Sequence, residues 1–185
     1  LVAVADYMLS IKQGNTVSNL SSTRALADVT TKHGGTYKAS AVGEVNVVQM
    51  MKDTQAIIGG EGNGGIIVPS LHYGRDALVG IAIFLTHFAN AGKTMSSLKN
   101  TYPKYEMIKD KVNLDGLNVE VILRSIEDAF SNEKINKIDG IKIDFKEGWV
   151  HIRKSNTEPI LRIYSEAPTK EMAMEFVQKI KDKVN

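Results

Sequence analysis

Two short stretches of this 185-residue sequence concentrate residue types that could grip a small polar ligand. The first is Gly59-Gly60-Glu61-Gly62-Asn63-Gly64-Gly65, a backbone stripped of side chains except at Glu61 and Asn63. A carboxylate that only accepts hydrogen bonds, beside an amide that donates and accepts, suits the vicinal hydroxyls of a sugar. Gly60, Gly62 and Gly65 also satisfy G-x-G-x-x-G. However, Ile66-Ile67-Val68-Pro69 follows where a dinucleotide fingerprint needs a helix, and the Gly-Lys-Ser/Thr of a Walker loop is absent. The nucleotide reading fails on that context. The plainer alternative is a glycine-rich turn with solvated polar residues.

The second stretch is Arg153-Lys154-Ser155-Asn156-Thr157-Glu158-Pro159, set between two alternating segments. Arg153 can grip a phosphate through two parallel N–H bonds. Ser155 and Thr157 add hydroxyl donors, and such a loop can aim successive backbone N–H groups into an anion-binding nest. Asn156 is of a type that tolerates the left-handed conformation a nest requires. The alternative is a long hairpin connection with turn-forming Ser and Asn.

Other chemistry is thinly supplied. The absence of cysteine excludes a disulfide scaffold, a thiolate zinc site and a cysteine nucleophile, and suits the reducing cytosol. His33, His72, His87 and His151 fall in no metal-ligand spacing, and no Ser-His-Asp set can be argued. The seven methionines read as core filler, and Trp149 as a packing residue at the start of a strand.

The elements that must position these loops follow from composition and periodicity. Hydrophobic residues at 43% and charged residues at 24% describe an ordinary globular chain. A net charge of +2 with interspersed signs gives no basic stripe, so no nucleic-acid partner is expected. No secretory leader is apparent, and the 15-residue apolar stretch 77–91 is too short to span a bilayer. It reads as a buried core helix, and no membrane partner is expected.

The two halves differ sharply. Residues 1–100 hold 14 charged residues and 12 of the 15 glycines, whereas residues 101–185 hold 30 charged residues and 3 glycines. Two domains are therefore expected, 1–100 and 101–185, with the boundary near the Pro103 segment. The first half alternates helix-like and strand-like segments, with Ser22 as the expected N-cap of its second helix. That alternation predicts an α/β layered domain with a largely parallel sheet. The second half predicts the order β-α-β-β-β-α, an α+β domain with an antiparallel sheet under helices.

Taken together, the two loops resemble those of the α-D-phosphohexomutase superfamily, which includes phosphoglucomutase, phosphomannomutase and phosphoglucosamine mutase. The glycine loop resembles the family's sugar-recognition loop, usually G-E-x-S-G-H, with Asn63 in place of Ser and Gly65 in place of His. Residues 153–159 resemble its phosphate-binding loop, usually R-x-S-G-T-E-P, with Asn156 in place of Gly. The opening Leu1-Val2-Ala3-Val4-Ala5-Asp6-Tyr7 and Gly74-Arg75-Asp76-Ala77-Leu78 resemble further segments of the family.

The resemblance implies the third and fourth of four domains, the substrate-recognition half of an isomerase that moves phosphate between C1 and C6 of a hexose. It implies that Glu61 and Asn63 hold sugar hydroxyls, and that Arg153, Ser155, Asn156 and Thr157 hold phosphate. It further implies partnership with domains 1 and 2 of the same chain. These would carry the catalytic serine and the Mg²⁺ loop, neither of which is matched here, and a hexose 1,6-bisphosphate would serve as intermediate and activator. A cytoplasmic location and an inactive isolated fragment are expected. The alternative from another class is a stand-alone, non-catalytic phosphosugar or anion-binding module.

Overall fold

The computed structural model describes residues 1–114, 116, 118–155 and 157–184. The chain divides into two compact units, Leu1–Lys104 and Tyr105–Asn185. In the first, the order is α1 (Val2–Ile11), β1 (Asn15–Asn19), α2 (Ala25–Lys32), β2 (Tyr37–Ser40), α3 (Glu44–Thr54), β3 (Ala56–Gly60), β4 (Ile66–Ile67), α4 (Ala77–Ala91) and α5 (Met95–Lys99). The sheet runs β2-β1-β3-β4. β1 is parallel to both neighbours, with α2 and α3 as the crossovers that parallel strands require, and β4 returns antiparallel to β3.

Both faces of this sheet are covered. One core joins Val4 and Ala5 of α1 to Leu26, Ile58, Ile66 and Val68, and another joins Val17 to Val47, Met51, Ala56 and Ile67. Burial on both sides explains why β1 is buried along Thr16, Val17, Ser18 and Asn19 rather than alternating. Its polar members are satisfied internally: the Thr16 and Thr30 hydroxyls lie 2.6 Å apart, and Ser18 Oγ is 2.9 Å from Tyr37 Oη.

Two expectations need correction in this unit. Ser22 does not cap α2, whose N-cap is Arg24. The Ser22 hydroxyl instead donates to Asn19 Oδ1 at 2.8 Å, three residues back at the end of β1, and so does not serve the first turn of α2. Nor is α4 a buried core helix. Val79, Ile83 and Phe84 pack inward, while Leu78, Ile81 and Leu85 are exposed. Its apolar residues occupy both sides of the helix, and α1 with the edge strand β4 covers only one. Its start does follow the rules, since Asp76 caps it by accepting from the Val79 N–H at 3.0 Å. Among the described residues, no helix is long and apolar enough to cross a membrane.

The second unit runs β5 (Glu106–Asn113), α6 (Val119–Ala129), β6 (Lys134–Asn136), β7 (Ile141–Asp144), β8 (Trp149–Lys154), β9 (Ile160–Ala167) and α7 (Lys170–Val184). Its sheet, β5-β9-β8-β7-β6, is antiparallel throughout. The expected order lacked β6, because three residues are too few to display an alternation. Otherwise the unit has the expected class, as does the first.

Period-two alternation puts Ile141, Ile143, Val150, Ile152, Leu161 and Ile163 into one core with Ile126 of α6 and with Phe176, Val177 and Ile180 of α7. Truncating one of these to Ala costs about 2–5 kcal/mol. The intervening residues of β8 are Trp149, His151 and Arg153. Trp149 is fully buried, donates from Nε1 to Glu166 Oε1 at 2.9 Å, and has Lys142 Nζ 4.4 Å from its ring centroid.

Candidate functional site

The glycine stretch is the tip of the β3–β4 hairpin. Gly60 pairs with Ile66, and the turn is closed by Glu61 N–H to Gly65 O at 3.1 Å and Gly64 N–H to Glu61 O at 3.2 Å. Gly64 has φ +94, a conformation that side chains resist, so the tip is built for glycine. Asn63 is exposed, and its Oδ1 accepts the Gly65 N–H at 3.1 Å. That bond leaves the Nδ2 donor facing outward with no partner among the described residues.

Glu61 is in a different position. It is only 6% exposed, and its Oε1 accepts from Asn19 Nδ2 at 2.8 Å and from the Gly43 N–H at 3.3 Å. Arg75 Nη1 lies 3.6 Å from Oε2. Arg75 is itself gripped by Glu44, through its own N–H at 3.1 Å and its Nε at 2.7 Å. That double grip holds the Glu44 carboxyl below the usual carboxylate range, the backbone bond contributing most. A polar chain thus runs Ser22–Asn19–Glu61–Arg75–Glu44. A Cβ on Gly65 would sit 2.6 Å from Arg75 Cδ, so the bare backbone at Gly65 leaves room for the Arg75 side chain.

In the second unit, Arg153 and Lys154 belong to strand β8 rather than to a loop, and the connection is residues 155–159. The β8–β9 register sets Arg153 directly opposite Arg162. Like charges facing each other in a ladder repel, and each guanidinium has a carboxylate of its own. Arg153 Nε lies 3.2 Å from Asp139 Oδ2, and Arg162 Nη2 lies 2.6 Å from Glu158 Oε2. Ser155 is buried; its N–H donates to Ile160 O at 2.9 Å and its hydroxyl accepts from Arg162 Nε at 3.3 Å. The Ser155 N–H is therefore engaged in the hairpin and unavailable to a nest. Thr157 is exposed, with its N–H and its hydroxyl each 3.5 Å from Ser155 Oγ. Asn156 lies outside the described residues.

The structure therefore gathers Arg153, Ser155 and Thr157 at one end of β8, and Glu61 and Asn63 at one hairpin tip. Sequence reasoning missed Asn19, Arg75, Asp139 and Arg162. Only Arg75 stands in a segment singled out from the sequence, Gly74-Arg75-Asp76-Ala77-Leu78, and there without a role. Reflecting Arg153 about residues 155–159 lands on residue 161, one short of its actual partner, so spacing does not place Arg162 opposite it. Among the described residues, no group of three or more His, Asp or Glu side chains converges as a metal set.

Comparison with known proteins bears on both units. The family profile described as "Phosphoglucomutase/phosphomannomutase, alpha/beta/alpha domain III" matches residues 1–105, and "Phosphoglucomutase/phosphomannomutase, C-terminal domain" matches residues 110–183. A phosphoglucomutase/phosphomannomutase of Thermococcus kodakarensis is 36% identical over 95% of this chain and 39% of its own length. A phosphoglucosamine/phosphogalactosamine mutase of Sulfurisphaera tokodaii is 33% identical over 95% of this chain and 40% of its own. In crystal form, a phosphoglucomutase/phosphomannomutase family protein from Burkholderia thailandensis superposes with a TM-score of 0.84 at 23% identity, covering 99% of this chain and 40% of that one. The chain spans about two fifths of the length of these relatives. With a matching profile over each unit and relatives above 30% identity along nearly its whole length, the chain belongs to the phosphoglucomutase/phosphomannomutase family.

Proposed function

We propose that this chain is the substrate-recognition half of a phosphohexomutase, an isomerase that interconverts hexose 1-phosphate and hexose 6-phosphate. The observation that carries the reading is the pair of guanidinium groups, Arg153 and Arg162, set opposite each other beside the Ser155 and Thr157 hydroxyls. Two cations forced together by strand register are relieved by a dianionic phosphate, which takes charge-assisted bonds from both. Arg153, Ser155, Asn156 and Thr157 hold the phosphate that is not being transferred, Ser155 acting through Arg162. Asn63 Nδ2 donates to a sugar hydroxyl, and Glu61 sets the hairpin tip while offering its carboxylate to a second hydroxyl.

Fixing sugar and phosphate supplies position rather than a reacting group. Binding energy gathered away from the reacting atoms raises the rate when it aligns them. The serine nucleophile and the Mg²⁺ that neutralises charge on the moving phosphoryl group belong to domains 1 and 2 of the complete chain, in the cytoplasm. A hexose 1,6-bisphosphate is the species that reorients between the two steps.

The test is a coupled mutase assay with and without Mg²⁺ and bisphosphate activator. The complete gene product should turn over a hexose 1-phosphate, and the 185-residue chain alone should not. Turnover by the isolated chain sinks the division of labour. Phosphosugar binding without turnover by the complete protein replaces the mutase reading with that of a binding module.

A further inference from the structure

Arg153 is gripped along one edge. Its Nε lies 3.2 and 3.4 Å from the two carboxylate oxygens of Asp139, and among the described residues it makes no other ion pair or hydrogen bond through its side chain. A guanidinium offers two edges for a bidentate bond, the side edge that includes Nε and the end edge formed by Nη1 and Nη2. Asp139 engages the side edge, which leaves the end edge to meet a ligand.

Asp139 is itself fixed from below. Its backbone carbonyl accepts a hydrogen bond from His151 Nε2 at 2.7 Å. A carbonyl can only accept, so Nε2 carries the proton. Burial pushes the His151 ring down to about 4, which keeps it neutral in ordinary buffers. Gly140, the next residue, has φ +64, and a Cβ there would collide with the Ile152 carbonyl. The turn is thus pressed against β8 at the place where β8 delivers Arg153. Arg162 stands opposite and repels the same guanidinium, so without a fixed carboxylate Arg153 has reason to swing aside.

We propose that Asp139 is a positioning residue for Arg153, holding the guanidinium by Nε so that its two Nη groups form the fork that receives phosphate. This rests on the reading of Arg153 as a phosphate contact, and the experiment separates the two. The complete gene product is titrated calorimetrically with glucose, mannose and glucosamine 6-phosphates, and the tightest is used for Arg153→Ala, Asp139→Ala, Asp139→Asn and the Arg153→Ala/Asp139→Ala double variant. Thermal melts accompany each.

Asp139→Ala should weaken binding about three- to tenfold, the lower part of the range for directly coupled neighbours. Asp139→Asn still accepts from Nε and should recover part of the loss. The double variant should bind no more weakly than Arg153→Ala alone, and all variants should melt near the wild type. No binding by the wild type, or none lost in Arg153→Ala, ends the phosphate reading and the proposal with it. With Arg153→Ala impaired, four results overturn the positioning role alone. These are wild-type or tighter affinity in Asp139→Ala, no recovery in Asp139→Asn, losses that add in the double variant, and a large drop in melting temperature for both Asp139 variants.

Discussion

The glycine hairpin and the arginine loop solve opposite problems. At the hairpin, one buried carboxylate is shared among donors drawn from across the fold: Asn19 from the end of β1, Gly43 from the start of α3 and Arg75 from the approach to α4. At the arginine loop, two cations are set side by side by strand register, and each is matched to its own nearby carboxylate. Charge in both places is compensated inside the unit before any ligand arrives. The consequences of removing it differ. Loss of Glu61 strands buried donors, whereas loss of Arg153 leaves only a partly solvated carboxylate, so the hairpin should couple binding to stability and the arginine loop should not.

Acid should separate the regions most strongly. His151 supports the arginine side and is protonated in the folded unit only near about 4, against about 6.5 in the unfolded chain. Unfolding therefore takes up a proton between those values. The stability this ring contributes is present above about pH 6.5 and declines as the pH falls toward 4, by about 3 kcal/mol in all. Denaturant unfolding of the second unit from pH 7 down to 4 measures the slope, and His151→Gln should flatten it. An equal slope in the variant would assign the acid sensitivity to other groups.

Arg153→Ala should cost phosphosugar binding about 1.5–3 kcal/mol, the usual worth of a charged hydrogen bond. Stability should change by less than about 1 kcal/mol, since a partly exposed pair contributes little. Arg153→Lys keeps the charge but not the planar fork and should rescue only in part. Calorimetric titration beside thermal melts decides it, and a variant that loses both together would erase the contrast with the hairpin.

Glu61→Ala should destabilise the first unit by about 1–3 kcal/mol, because Asn19 Nδ2 and the Gly43 N–H lose their acceptor. Binding should fall with it. Glu61→Gln retains an acceptor and should restore most of the stability; equal melting of all three proteins would show that the carboxylate does not organise the tip. The smallest effect is expected at Asn63. Asn63→Ala should leave the melt within about 0.5 kcal/mol of wild type while lowering kcat/KM by about 1 kcal/mol. Unchanged kinetics would make the tip a turn and nothing more.

How much of this was legible in the sequence depended on range. The alternation in β7, β8 and β9 was plain because aliphatic residues line the face that packs on α6 and α7, while Lys142, Trp149, His151 and Glu166, buried though they are, mark the other face by their chemistry. The two loops were legible because glycine, arginine and hydroxyl residues cluster within a few positions. What holds them was not. Asn19 reaches Glu61 across 42 residues through a parallel crossover, and no local pattern encodes that meeting. Arg75 beside Gly65 depends on the absence of a side chain at one position and the path of a flexible one at another. The expectation of a buried α4 fails because its apolar residues fall on both sides of the helix, and composition does not say which side α1 and β4 will cover.

Trp149 is the sole tryptophan of the sequence, and it lies in the second unit, sealed from water with its indole N–H on Glu166. The 185-residue chain therefore carries a built-in fluorophore in the core of its second unit. Emission excited at the red edge of the absorption band will report the loosening of the core around Trp149, while the far-ultraviolet signal sums the helices of both units. A difference between the two melting curves would then measure, without any label, whether the units unfold together or in sequence.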